Sequence, residues 1–314
     1  MTKMIATRVA YGEALAELGG INSDIVVLDA DLSGSTKTAG FASKYPERFI
    51  QMGIAEADMM GTAAGLAATG KTAFASTFAV FATGRAFDQV RQSIAAPGLN
   101  VKICATHAGL TVGEDGGSHQ SIEDIALMRV LPNMTVIVPS DAVQTGWAVR
   151  IAAEQKGPFY LRLGRASVPT LYDEDADFEL GKAKTLREGQ DVTIIACGVM
   201  VSRALEAADR LEERGIRARV LDMHTIKPLD EEAVRAAAVE TGAIVTVEEH
   251  SVIGGLGGAV CETVCSRAPA PVIRVGVADM FGKSGKPDEL LEAYGLTVEN
   301  ISFAAKRAIE MKRA

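Results

Sequence analysis

Short apolar runs and helix-like stretches take turns along almost the whole chain. The first half carries DIVVL at 24–28, RFIQM at 48–52, TAFAS at 72–76, VKICATH at 101–107 and MTVIVPS at 134–140. Runs that are apolar at consecutive positions, separated by helical patterns, predict strands of a parallel sheet covered on both faces. Residues 1–165 therefore read as one doubly wound, mainly parallel α/β domain. Residues 166–189 hold acidic side chains, Tyr172, Phe178 and a proline but no sustained period, and are expected to form a linker. Alternation then resumes with VTIIACG, a helix from about Val201 to Arg214, RARVLDM, a helix after the cap-like Asp230, AIVTVEEH, and the closing helix ISFAAKRAIEMKR. Residues 190–314 thus read as a second, smaller α/β domain, and a length of 314 residues suits two cores better than one.

Composition narrows the setting. No stretch approaches the ~18 consecutive apolar residues that a membrane span needs, and the first residues lack the apolar segment and cleavage site of an export signal. A cytoplasmic protein without membrane contact is expected. A formal charge of −8 would repel a nucleic-acid backbone, so nucleic acid is not an expected partner. Cys104 and Cys197 sit in apolar runs, and Cys261 and Cys265 lie one helical turn apart with no metal-completing neighbours, so all four are expected to be buried, reduced thiols.

Three segments carry more chemistry than packing requires. In GIAEADMMGTAAGLAATG, 53–70, Glu56 opens a helix made mostly of Ala, Gly and Met, whose backbone can approach another surface closely. In FASTFAVFATGRAFDQVRQS, 74–93, Phe78, Phe81 and Phe87 recur at helical spacing. In THAGLTVGEDGGSHQS, 106–121, a Gly-rich loop after a buried strand gathers His107 and His119 around Glu114 and Asp115. Open α/β sheets bind ligands at the carboxyl ends of their strands, which is where this loop falls.

The order GIAE, STFAVF, THAGLTVGEDGGSHQ, NMTVIVPSD, YLRLGR resembles the pyrimidine-binding half of the transketolase family, and the resemblance covers essentially the whole chain. It implies thiamine diphosphate as cofactor. The carbanion at C2 of that cofactor forms when its own imino group takes the proton, and a carboxylic acid on N1′ of the aminopyrimidine makes the imino form accessible. By the resemblance that acid is Glu56, in a site dry enough to favour a shared proton. Phe81 would stack on the pyrimidine and Phe78 line its pocket. His119 would lie near the reacting carbonyl as a second catalytic group, with Asp115 on a substrate hydroxyl. Arg8, Ser35, His107 and Arg165 would hold the substrate phosphate, Arg162 being a competitor for the place of Arg165. The related deoxyxylulose phosphate synthases usually carry Arg where this chain has Phe81 and His107, so both residues lean toward transketolase.

One departure matters. The family holds Mg²⁺ and the diphosphate with a GDG turn followed some 25 to 30 residues later by Asn, oxygen donors suited to a hard cation. Nothing here matches, and the glycines of VEEHSVIGGLGGAV, 247–260, suit a structural or interface role better than a phosphate site. The resemblance therefore implies the C-terminal subunit of a split transketolase. An N-terminal partner subunit would supply Mg²⁺ and diphosphate binding, the assembly would be at least a heterotetramer, and sugar phosphates would be the substrates. The rival expectations are half of a deoxyxylulose phosphate synthase, a transketolase for an unusual ketose, or a non-catalytic regulatory chain.

Overall fold

The computed structural model describes residues 3–313. Seven strands form the first sheet, in the spatial order Thr225–Lys227, Thr135–Ile137, Phe159–Arg162, Val101–Thr106, Thr72–Phe78, Ile25–Asp29, Phe49–Gln51. All neighbours are parallel except Thr225–Lys227, which runs antiparallel to Thr135–Ile137. Every residue of the strands Ile25–Asp29, Thr72–Phe78 and Val101–Thr106 is buried, as expected for a sheet covered on both sides. On one face the helices Thr7–Ile21 and Ala142–Glu154 pack together over Tyr11, Leu15, Phe74, Val149 and Leu161. The other face carries the helix Glu56–Ala68, whose Met59, Met60 and Ala63 close over Val26, Leu28 and Ala75.

The second sheet has the order Val272–Val277, Ile244–Ser251, Val192–Ala196, Ala218–Asp222, Lys184–Arg187, with only the last strand antiparallel. The helices Met200–Glu212 and Val298–Arg313 cover it. Asp230 caps the helix Glu231–Glu240, its carboxylate accepting from the Ala233 amide at 3.0 Å. Within residues 166–189, Ser167–Pro169 pairs antiparallel with Met4–Ala6, and Lys184–Arg187 already belongs to the second sheet. Among the described residues no helix is long and apolar enough to cross a membrane. The expectation of four buried thiols fails at one position: Cys104 and Cys197 are buried and Cys261 partly so, but Cys265 is exposed, because it lies on the outer face of the helix Leu256–Arg267.

The strand Thr225–Lys227 crosses from the second half of the chain into the first sheet, and polar side chains line that seam. Asp222 is fully buried; one carboxylate oxygen accepts from Tyr172 Oη at 2.7 Å, Ser140 Oγ at 2.8 Å and Gln144 Nε2 at 3.0 Å, while the other has no partner. Burial pushes its carboxyl up to about 6. Between roughly pH 4 and pH 6 the native state thus holds a proton that the unfolded chain has released, so this group's contribution to stability falls as pH rises through that window. Asp222→Asn removes the titration. The stability difference between wild type and variant, from denaturant unfolding at several pH values, is expected to drop by about 2–3 kcal/mol from pH 4 to pH 6 and stay level above it.

Candidate active site

Five parallel strands end on one rim of the first sheet, and each delivers side chains there. After Ile25–Asp29 the chain makes a tight polar turn: buried Asp29 accepts from the Leu32 amide and from the Thr36 and Thr38 hydroxyls at 2.6, 2.6 and 2.8 Å, fixing the segment that carries Ser35. After Phe49–Gln51 the chain reverses at Gly53, whose φ of +68° suits glycine, and enters the helix Glu56–Ala68 with Glu56 as its first residue. The strand Thr72–Phe78 ends at Phe78 itself. The helical-spacing expectation for the phenylalanines fails there: Phe78 closes a strand, Phe81 opens a π-helical turn at Phe81–Arg85, and Phe87 begins the short helix that follows. Fully buried β-register at 72–78 outweighs the three-residue spacing.

Val101–Thr106 runs into the loop of His107 and His119. His107 sits in the left-handed region at φ +57°, and its ring lies on Phe78 with centroids 3.8 Å apart. Phe78 also stacks on Phe81 at 5.9 Å, and His119 meets Phe81 edge-on at 5.4 Å. The fifth strand, Phe159–Arg162, leads to Gly164 and Arg165; the Gly164 amide donates to Thr7 Oγ1 at 2.7 Å, which sets Arg8 beside the rim. Arg8 Nη1 donates to the Ser35 carbonyl at 2.9 Å and lies 3.4 Å from His107 Nε2. Arg165 faces Glu114 at 3.4 Å and Asp115 at 3.9 Å.

Arg8 and His107 meet at one end of the rim, with Arg165 nearby. Burial first, then Arg8, Arg165, His119 and Lys37, push the His107 imidazole down to about 3, so it stays neutral at physiological pH. Burial and Arg165 likewise lower the Arg8 guanidinium. Arg165 is shared with Glu114 and Asp115, but the buried Nε of Arg8 has no hydrogen-bond partner, so a phosphate would supply the acceptor that Arg8 lacks.

At the other end Glu56 is only 2% exposed, and Arg85 Nη1 donates to both of its carboxylate oxygens, at 3.0 and 2.9 Å. The same guanidinium lies 4.4 Å over the Phe81 ring. Glu56, Phe78, Phe81, His107, His119, Arg8 and Ser35 therefore join through one run of contacts, with Arg165 and Asp115 at its edge. Arg162 is excluded from phosphate binding: it is buried in an ion pair with Asp124, 2.7 Å from Nε to Oδ2, and donates to the Ser121 and Glu249 carbonyls.

Sequence reasoning missed Arg85, whose only signal was a lone cation four residues after Phe81. It also missed the support beneath the loop. Glu249, from the second sheet, accepts from the Thr111 amide at 2.5 Å, and Gln120 Nε2 reaches the Lys283 carbonyl at 3.0 Å. Gly109, at φ +82°, lies against the Glu249 carboxylate where a Cβ would collide. In the Gly-rich turn before the helix Leu256–Arg267, the anion position is taken by the chain's own Glu248, which accepts from the Leu256 and Gly257 amides at 2.7 Å each. Among the described residues no group of three or more His, Cys, Asp or Glu could hold a metal ion.

Residues 3–170 match the family described as Transketolase, pyrimidine binding domain, and residues 181–301 match Transketolase, C-terminal domain. The chain belongs to the transketolase family. It is 54% identical to a provisionally assigned transketolase C-terminal section of Methanocaldococcus jannaschii, over 96% of this chain and 95% of that one. It is 47% identical to a 6-deoxy-6-sulfo-D-fructose transketolase subunit of a Clostridium species, over 97% and 95% respectively. A solved split-gene transketolase, described as an inactive beta4 tetramer, superposes with a TM-score of 0.91 at 57% identity, covering 99% of this chain and 100% of that one. Against human transketolase, 42% identical, the chain spans 49% of the relative's length. Within the transketolase family, then, this chain corresponds to the pyrimidine-binding and C-terminal domains, and the family implies use of thiamine diphosphate.

Proposed function

We propose that the chain is the C-terminal subunit of a two-chain transketolase, moving a two-carbon ketol unit from a ketose phosphate to an aldose phosphate. The observation that carries this reading is the buried Glu56 carboxylate, bridged to a flat, nitrogen-bearing cation lying over Phe81. A planar guanidinium shares its flat face, and toward a carboxylate its N–H donor, with the N1′-protonated aminopyrimidine, so a pocket that holds one beside Glu56 has the shape and polarity for the other. The residues present fit the pyrimidine of thiamine diphosphate, and among the described residues no group of three or more His, Cys, Asp or Glu offers a metal site for its diphosphate.

Bound thiamine diphosphate supplies the nucleophilic carbon that accepts and passes on the two-carbon unit. This chain's own work is to set Glu56 on the ring nitrogen and so control a proton there, while Phe78 and Phe81 keep water out. His119, at the pocket edge, is placed to donate a hydrogen bond to a developing alkoxide or relay a proton. Arg8, the Ser35 segment, His107 and Arg165 hold the substrate phosphate, Arg165 exchanging its Glu114 contact for the ligand. Asp115 takes a sugar hydroxyl.

Mg²⁺ and the diphosphate fall to an N-terminal partner subunit, in a cytoplasmic heterotetramer serving sugar-phosphate metabolism. The inactive tetramer of a split-gene relative supports dependence on a partner. The name of the Clostridium relative keeps an unusual ketose donor in view. The test is reconstitution: the chain with a candidate N-terminal subunit, thiamine diphosphate and Mg²⁺, assayed against a panel of ketose donors, phosphorylated and sulfonated. Ketol transfer is expected only with both chains present, and full activity of this chain alone would end the split-enzyme reading.

A further inference from the structure

Arg85 belongs to neither the phosphate cluster nor the aromatic pair, yet it touches both the Glu56 carboxylate and the Phe81 face. Its side chain is 51% exposed, whereas Glu56 is 2% exposed, so the buried acid is reached through a cation with one side open to solvent. The π-helical turn Phe81–Arg85 is wider than an α-turn and places Phe81 and Arg85 together at the pocket mouth. Both groups that the cofactor's pyrimidine would use, the acid and the stacking ring, are therefore already engaged by one guanidinium.

Resting on the function proposed above, we infer that Arg85 is an internal stand-in for the aminopyrimidine: it holds Glu56 and covers Phe81 until the cofactor arrives, and must swing out to solvent for it to bind. This makes Arg85 a positioning residue with two effects. It keeps a buried carboxylate from standing without a partner, which would weaken the cofactor-free chain. It also lowers apparent cofactor affinity, since the binding-competent state is only a fraction of the population.

The experiment is calorimetric titration of thiamine diphosphate, with Mg²⁺, into the reconstituted complex carrying wild-type chain, Arg85→Ala or Arg85→Lys. Arg85→Ala is expected to bind the cofactor about tenfold tighter than wild type, and Arg85→Lys, whose ammonium has no flat face, about threefold tighter. Methylguanidinium is expected to compete with the cofactor in Arg85→Ala and not in wild type, a signature that a purely structural arginine would not give. If Arg85→Ala does not assemble, Arg85→Lys alone decides. Affinity unchanged or weakened in the variants, or indifference of Arg85→Ala to methylguanidinium, overturns the stand-in while leaving the function intact. A wild-type complex that binds no cofactor overturns both.

Discussion

Glu56→Gln is expected to cut turnover of the reconstituted complex by about 10²- to 10⁴-fold, the range that a positioned acid–base group contributes. Glutamine keeps the volume and one carbonyl oxygen but cannot hold or release a proton, so the ring nitrogen it faces would be hydrogen-bonded without being activated. The fold should survive. Its partner Arg85 is half exposed, and the melting temperature should reflect a loss within about 1 kcal/mol. The Michaelis constants for sugar phosphates should change little, because Arg8, His107 and Arg165 contact the opposite end of the rim. Steady-state kinetics and a thermal melt on the same preparation separate these effects. Full retention of activity would place the chain among regulatory subunits instead.

How much of this was legible in the sequence depends on the range over which each feature is encoded. The strands of the first sheet announce themselves locally, since a run such as IVVL at 25–28 has to be buried on both faces wherever it goes. The loop of His107, Asp115 and His119 was legible because packing gives no reason to gather two imidazoles among glycines. Thr225–Lys227 was not, because its three residues find their partner at Thr135–Ile137, some ninety positions earlier, and carry no period of their own. Phe78, Phe81 and Phe87 misled for a related reason: their spacing fits a helix, while the strand register that Phe78 obeys comes from neighbours at Ile25–Asp29 and Val101–Thr106. Glu249 and Arg85 act on the site through tertiary contact alone. A single cation or acid in a helix or strand looks the same in sequence whether it faces water or a carboxylate.

Arg162→Met is expected to destabilise the protein by about 3–5 kcal/mol, the usual cost of removing one partner from a buried ion pair. Asp124 is fully buried, and its carboxylate accepts from Arg162 Nε at 2.7 Å and from Tyr160 Oη at 2.7 Å. Burial alone would push that carboxyl up, but the guanidinium holds it below the usual carboxylate range. A depressed folded-state value means stability that is present above about pH 4 and lost as pH falls through the folded value. The gap between wild type and Arg162→Met should therefore narrow in acid. The double variant Arg162→Met, Asp124→Leu should regain part of the loss, because it removes the orphaned Asp124 charge while buried Glu249 still loses the cation beside it. Function should suffer along with stability: Arg162 also donates to the Ser121 and Glu249 carbonyls, tying the second domain to the root of the loop that carries His107 and His119. At temperatures where the double variant is folded, its Michaelis constant for the sugar phosphate should still exceed wild type, since packing can replace the ion pair but not those two donated bonds. A single variant melting within a degree or two of wild type would mean that the seam between the domains is held elsewhere.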